Sequence, residues 1–306
     1  MVNIVIVNWN TGDRLAACIR SLAALPERSL IKKIFVIDND SSDTSFPEAE
    51  RVTIDVPVEY IASPKNVGFA KANNIALKMI VEAPEHTLLL NPDTEVMPGA
   101  LKAMLDALSV YPKAGIIGPQ LLNYDRSLQP SVRSFPNTLV LTWLFLKLHR
   151  IVTRVPWWQQ YLRTSLNYYE AQSVDQVMGA AFLIRNRLLD KNDEKFVGIL
   201  DEAFWIWFEE VDYCRRAKNK GWEVWYVPTG IVIHHGALSF NQTVGLKKTV
   251  PLLNSGLTYA HKHLSKLGHL FLGLLWPLAA LLAVPATIFH LLHKRKNSAR
   301  LYEWNK

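Results

Sequence analysis

Three short apolar runs in this chain each end in a cluster of carboxylates and amides, and that pattern narrows the fold more than any other feature. The runs are Ile34–Ile37 before Asp38-Asn39-Asp40-Ser41-Ser42-Asp43, Leu88–Leu90 before Asn91-Pro92-Asp93, and Phe204–Phe208 before Glu209-Glu210-Val211-Asp212. A short continuous apolar run suits a strand buried on both faces, as in parallel sheets. Open α/β sheets bind ligands outside the carboxyl ends of their strands. Three polar clusters delivered to one such edge predict a single acidic site.

Strand and helix patterns alternate along the first part of the chain. Asn3–Asn8 reads as a strand, and Asn10-Thr11-Gly12-Asp13 breaks it and caps a helix over residues 13–25 that Pro26 ends. Strands follow at 33–37, 58–62 and 87–90, with a helix rich in Ala and Leu over 68–81. A helix over 98–111 takes Pro98 at its first position, where a missing N–H costs nothing. A short strand at 115–118, patterned residues over 177–184, a helix over 210–220 and strands at 223–227 and 230–234 complete the set. The expectation is an α/β fold with a Rossmann-like mixed central sheet flanked by helices.

The chain is 306 residues long with a net charge of +7, which suggests an anionic partner such as a nucleotide, a phosphate or a membrane surface. Its Lys and Arg residues are read as dispersed rather than gathered in a stripe, which argues against nucleic acid. Cys18 and Cys214 stand far apart without metal-site spacing, so neither a zinc site nor a disulfide framework is expected. The start of the chain lacks a basic region and a small-residue cleavage site, so the catalytic part is expected to stay in the cytoplasm.

Two segments have a different character. Leu139–Arg150 followed by Pro156-Trp157-Trp158 mixes apolar, aromatic and basic residues, which suits either an interfacial helix or an amphipathic helix packed on the core. From Leu270 to Leu292 there is no Asp, Glu, Lys or Arg, and His293-Lys294-Arg295-Lys296 follows. That length passes the roughly 18–20 apolar residues needed to span a bilayer. Pro277 and Pro285 interrupt a straight helix, so a hairpin or an in-plane segment is expected, with a buried helix pair as the alternative.

Asn91 and Asp93, two apart on an extended segment, project to one side and suit a hard divalent cation, although Asn-Pro-Asp is also turn chemistry. Asp38 suits a base imide or ribose hydroxyl, or alternatively the capping of a turn. Glu209, Glu210 and Asp212 follow Trp205, Trp207 and Phe208, and apolar neighbours raise carboxylate pKa values into the range of a general base. The same residues also fit a helix N-terminus.

The ordered set Val7-Asn8-Trp9-Asn10, Asp38 to Asp43, Asn66-Val67-Gly68-Phe69-Ala70-Lys71-Ala72-Asn73-Asn74, Asn91-Pro92-Asp93, Gly179-Ala180-Ala181, Phe208 to Asp212 and His234-His235-Gly236 resembles glycosyltransferase family 2, in its rhamnosyltransferase-like branch. The resemblance runs in register from residue 3 to about 240. It implies a GT-A fold, a nucleotide-diphosphate sugar donor, a divalent metal (Mg2+ or Mn2+) and inversion at the anomeric carbon. Carried onto this chain, it places Val7, Asn8, Asn10 and Asp38 in the nucleoside pocket, and Asn66, Gly68, Lys71, Asn91 and Gly179 around the donor. Asp93 and His234 become metal ligands, with Asn91 replacing the first Asp of the Asp-x-Asp pattern. Glu210 takes the place of the catalytic base, where the family usually has Asp, and Glu209 and Asp212 are the alternatives.

The domain reading is 1–240 for the transferase, with nucleotide-binding residues up to about 121 and acceptor-binding residues 122–240. Residues 241–306 are read as a C-terminal helical membrane-associated extension. The function implied is transfer of a sugar, rhamnose first, from dTDP-rhamnose or a UDP-sugar to a lipid-linked glycan at the cytoplasmic face of the plasma membrane. Donors such as UDP-galactose or UDP-N-acetylglucosamine are alternatives, as is a silent nucleotide-sugar-binding scaffold of a polysaccharide assembly complex.

Overall fold

The computed structural model describes residues 1–236 and 244–285, which fall into two compact units. The first comprises Met1–Phe135 with Gln159–Leu238, the second Pro136–Trp158 with Ser239–Lys306.

The first unit is built on a mixed sheet in the order β3-β2-β1-β4-β11-β6-β12-β5. These strands are β1 (Val2–Asn8), β2 (Ile31–Asp38), β3 (Val58–Ala62), β4 (His86–Leu90), β5 (Thr94–Val96), β6 (Ala114–Leu122), β11 (Ala181–Ile184) and β12 (Glu223–His234). Short strands β7 (Leu128–Gln129) and β9 (Gln172–Val174) pair with β6 and β12, while β8 (Val132–Arg133) and β10 (Gln176–Val177) pair with each other. Strands β3, β2, β1 and β4 run parallel, and β11 is antiparallel to both of its neighbours.

Both faces of the sheet are covered, which explains why its central strands read as unbroken apolar runs. Alternate residues point to opposite sides. Ile4, Ile6, Ile34 and Val36 pack with helix α1 (Arg14–Ala23) and helix α4 (Ala100–Val110). Val5, Val7, Phe35 and Ile37 pack with helix α3 (Phe69–Ile80) and helix α7 (Glu209–Asn219). Order along the sheet reverses between β1 and β4, so the carboxyl ends of these strands flank a topological switch point.

Four local expectations are corrected. The run Phe204–Phe208 is not a strand: Trp207 and Phe208 both hold left-handed φ values, 61° and 69°, and turn the chain into α7. Pro98 is not the first helical residue, because Gly99 at φ 84° sits between it and α4 and donates its N–H to Glu27. The strands expected at 223–227 and 230–234 are one strand, β12, with a register shift between Val227 and Ile231 that accommodates Pro228, which has no N–H to donate. The 139–150 helix is a shorter α5 (Thr138–Phe145), ended where Lys147 turns left-handed at φ 56°. Helices α2 (Ser45–Glu50) and α6 (Pro156–Leu162) complete the elements before α7.

The second unit contains α5, α8 (Leu246–His263) and α9 (Lys266–Leu281). Gly256 on α8 gives the Phe145 ring its space, since a Cβ there would lie 2.6 Å from a ring carbon. Pro277 does not break α9, which continues to Leu281. Among the described residues no helix is long and apolar enough to cross a membrane, and residues 286–292 of the expected segment lie outside the described residues.

Candidate active site

The ends of β1 and β2 are tied by Asn8. Its side-chain amide donates to Asp38 Oδ1 at 2.8 Å and to the hydroxyls of Ser41 and Ser45, and its oxygen accepts from Thr11. Asn8 is fully buried, so its polar groups are used within the protein. Asp38 Oδ2 accepts the Ser41 N–H at 3.0 Å, and Asn10, at φ 51°, accepts from the Ser42 N–H at 2.7 Å. The pocket edge expected from Val7 to Asn10 and Asp38 is thus a hydrogen-bonded turn, and Asp38 serves the capping role weighed for it. One bond to each carboxylate oxygen leaves acceptor capacity for a ligand.

Asn66 Oδ1 accepts from Asn39 and from the Gly68 N–H, while Asn39 Oδ1 accepts the Val67 N–H. These bonds shape the entry into α3. Gly68 has φ 86°, and a Cβ there would lie 2.5 Å from the Trp205 carbonyl oxygen. The Phe69 N–H donates to that same oxygen at 2.6 Å. Only a residue without a side chain fits between the two segments. Lys71, by contrast, places its Nζ 3.8 Å from Glu202, a carboxylate that Lys78 also contacts.

Beyond β4, Asn91, Asp93 and His234 come together. His234 Nε2 lies 3.5 Å from Asp93 Oδ1 and 3.4 Å from the Asn91 side-chain nitrogen. His234 Nδ1 pairs with Gln129 Oε1 at 2.7 Å, so Nδ1 carries the proton and Nε2 presents its lone pair beside Asp93. A histidine oriented through its second nitrogen in this way is the usual arrangement at metal sites. The donor set of carboxylate and imidazole therefore fits a divalent cation. Among the described residues no group of three His, Cys, Asp or Glu forms a fuller cage. His235 faces elsewhere: its Nε2 meets Glu95 at 2.7 Å and its Nδ1 meets Arg14 at 3.3 Å, while its backbone N–H donates to the Asp93 carbonyl.

The acidic cluster forms the first turn of α7, where carboxylates complement the helix dipole. Asp212 is fully buried and bound to Arg216 at 2.7 Å, and Arg216 also donates to the carbonyls of Val197 and Ile199. That ion pair anchors the helix. Glu209 and Glu210 each keep one buried oxygen, Oε2, with no hydrogen-bond partner among the described residues. Burial raises both carboxyl groups above the ordinary range, Glu209 well above, and the negative field of Glu210 adds to the shift of Glu209. Backbone N–H groups pull the other way at both, that of Glu209 at Glu209 and those of Glu210 and Val211 at Glu210. Gly179 packs against Glu210, with its Cβ position 3.5 Å from Glu210 Cβ and Cγ, an ordinary van der Waals distance.

The Asn91 N–H donates to the Ala180 carbonyl at 2.8 Å, which links the Asp93 side of the site to the residue after Gly179. Sequence reasoning passed over Gln129, and it gave Asn39 and Trp205, both within the quoted clusters, no role in shaping the entry to α3. It also passed over Tyr161, whose hydroxyl burial raises to about 12 and which lies within the fields of Arg133 and Glu210.

The family profile described as Glycosyl transferase family 2 matches residues 3–193, more than half of the chain. The chain is a family 2 glycosyltransferase. This glycosyltransferase is 29% identical over 245 residues to the N-acetylglucosaminyl-diphospho-decaprenol L-rhamnosyltransferase of Mycobacterium tuberculosis, covering 77% of this chain and 76% of that one. It is 22% identical over 226 residues to the low-salt glycan biosynthesis hexosyltransferase Agl10 of Haloferax volcanii, covering 72% and 62%. Among solved structures it resembles GalNAc-T7 with UDP, GalNAc and Mn2+, at a TM-score of 0.57 and 18% identity, covering 76% of this chain and 43% of that one. S. aureus TarS with UDP-GlcNAc follows at a TM-score of 0.53 and 12% identity, covering 88% and 69%. These likenesses agree with the GT-A fold expected from the sequence.

Proposed function

We propose that this glycosyltransferase is an inverting, metal-dependent enzyme. It moves a sugar, rhamnose first among the candidates, from a nucleotide diphosphate to a lipid-diphosphate-linked N-acetylglucosamine at the cytoplasmic face of the plasma membrane. The observation that carries the mechanism is the buried carboxylate pair at the start of α7, both members raised in pKa by burial, with Glu210 in the place of the base. The rhamnosyltransferase relative supports the sugar and the acceptor class.

Asp93 and His234 would hold the cation, which would supply positive charge to offset that on the departing diphosphate. Glu210 accepts the proton of the acceptor hydroxyl, which attacks the anomeric carbon from the side opposite the nucleotide. Asn8, Asp38, Asn39 and Asn66 fix the backbone turns that receive the nucleotide.

The test is transfer by the purified chain from a panel of dTDP- and UDP-sugars to a polyprenyl-diphosphate N-acetylglucosamine, with product stereochemistry read by NMR. Inverted product from dTDP-rhamnose supports the reading. Inverted product from a different donor alone replaces the sugar. Donor binding without any transfer favours the scaffold.

A further inference from the structure

The positive charge of this chain is segregated, contrary to the even spread read from the sequence. Pro136–Trp158 and Ser239–Lys306 together hold 12 Lys and Arg against one acid, Glu303. The remaining residues hold 22 Lys and Arg against 26 Asp and Glu, so they are net negative while the chain totals +7. Within the second unit, α9 has two distinct sides. Gly268, Leu272, Ala279 and Ala280 are buried, and Trp276 donates its indole N–H to Asn254 of α8 at 3.0 Å. The opposite side presents Leu267, Leu270, Phe271, Leu274, Leu278 and Leu281, each between 49% and 80% exposed.

Residues spaced three and four apart form one stripe along a helix, so these six make a continuous apolar face. Water-exposed faces of this kind mark interaction sites. At about 1.5 Å per residue, the 16 residues of α9 reach only ~24 Å, short of the ~30 Å hydrocarbon core. The described length of this helix alone falls short of a perpendicular passage, whereas lying flat needs no such length. The partner must accept an apolar stripe and complement a unit whose described residues include Lys147, Arg150, Lys247 and Lys266 and no carboxylate. Anionic lipid headgroups over acyl chains meet both requirements.

We propose that α9 lies in the plane of an anionic lipid surface, with its leucine stripe at the acyl boundary and the basic residues of its unit among the headgroups. The docking is peripheral, electrostatic and apolar together. It deepens the membrane-face location of the proposed function, and because vesicle binding needs neither donor nor acceptor, its failure and a failure of transfer are distinguishable.

The experiment is co-sedimentation of the full chain with phosphatidylcholine vesicles, with and without phosphatidylglycerol. It is repeated at raised salt and with the Leu274→Asp/Leu278→Asp variant, whose exposed positions leave the fold intact by circular dichroism. The expected result is binding to the anionic vesicles at least about 10-fold tighter than to neutral ones, weakened by salt. The double variant loses at least about 100-fold in partitioning. Equal binding to both vesicles, or binding unaffected in the double variant, overturns the proposal. So does a chain that binds neither vesicle, and if that chain sediments as a dimer that the double variant dissociates, the face belongs to a second copy.

Discussion

Exchanging Glu210 for Gln keeps the size of the side chain above Gly179 and removes its ability to take a proton. A positioned general base is worth roughly 10²–10⁴-fold in rate, or about 2.7–5.5 kcal/mol of barrier. The structure adds a control that discriminates within the pair. Glu209 is more deeply buried and feels the charge of Glu210, and with Glu210 as the base a neutral isostere at Glu209 keeps the shape of the pair while removing only the second carboxyl. Glu210→Gln is therefore expected to lose on the order of 10²–10⁴-fold in transfer rate, and Glu209→Gln less than about 10-fold. The assay is transfer measured from pH 5 to 9, roughly the span in which a raised carboxyl titrates, with donor binding followed in parallel by thermal shift. Wild-type activity should rise with pH through a value above the ordinary carboxylate range, because the base works ionised and burial raises its pKa. Stability runs the other way. Both groups have raised folded-state values, so the stabilisation of the neutral pair is complete below the unfolded carboxyl pKa and is lost as pH rises through the folded values. Glu209→Gln should flatten that alkaline fall. A Glu209→Gln variant as damaged in transfer as Glu210→Gln, with intact fold and donor binding, would refute the assignment of the base.

Gly68→Ala must fit a Cβ 2.5 Å from the Trp205 carbonyl oxygen at a left-handed φ, so donor binding is expected to weaken together with a stability loss of at least ~1–3 kcal/mol, measured by denaturant titration. Asp212→Ala leaves Arg216 without its buried carboxylate and should cost about 3–5 kcal/mol, read by the same titration. Asp93→Ala, or chelation of the wild type, should abolish metal-dependent thermal stabilisation by the nucleotide donor; a donor shift that survives both would remove the cation from Asp93 and His234. Glu210→Asp retracts the carboxylate by one methylene over Gly179, and a displacement on the order of 1 Å is expected to cost about 10²-fold in transfer rate with little change in donor affinity.

Strands β1, β2 and β4 were legible because burial on both faces makes the runs Ile4–Val7, Ile34–Ile37 and Leu88–Leu90 apolar, and the helices between them were legible from periodicity. The boundary of β3 agrees to the residue. The third acidic cluster was misassigned to a strand because an apolar run looks alike whether it pairs in a sheet or folds into a left-handed turn. Trp207 and Phe208 adopt backbone angles that bulky side chains rarely choose, so local preference gave no warning. In the site, Asn91 and Asp93 could be grouped from their spacing alone, whereas His234 reached them through the resemblance. Gln129 was invisible because it acts only after β7 and β12 bring it to His234. The roles of Asn8 and Asp38 in shaping a turn depend on Ser41 and Ser45, more than thirty residues away from Asn8.

The placement of β11 has a consequence for how such an enzyme diversifies. This strand sits between β4 and β6, and the residues just before it carry Gly179 under Glu210 and the Ala180 carbonyl that holds Asn91. The spacing between the Asn91 and Asp93 side of the site and the Glu210 side is thus a property of ladder register, fixed by pairs such as Ala181 with Leu90 and Leu183 with Leu88. Changes in the surrounding loops can alter which sugar or acceptor fits while that spacing stays constant. A single residue inserted between Gly179 and Ile184 would do the reverse, turning every β11 side chain to the opposite face of the sheet and changing the reach of the chemistry without touching a ligand-binding loop.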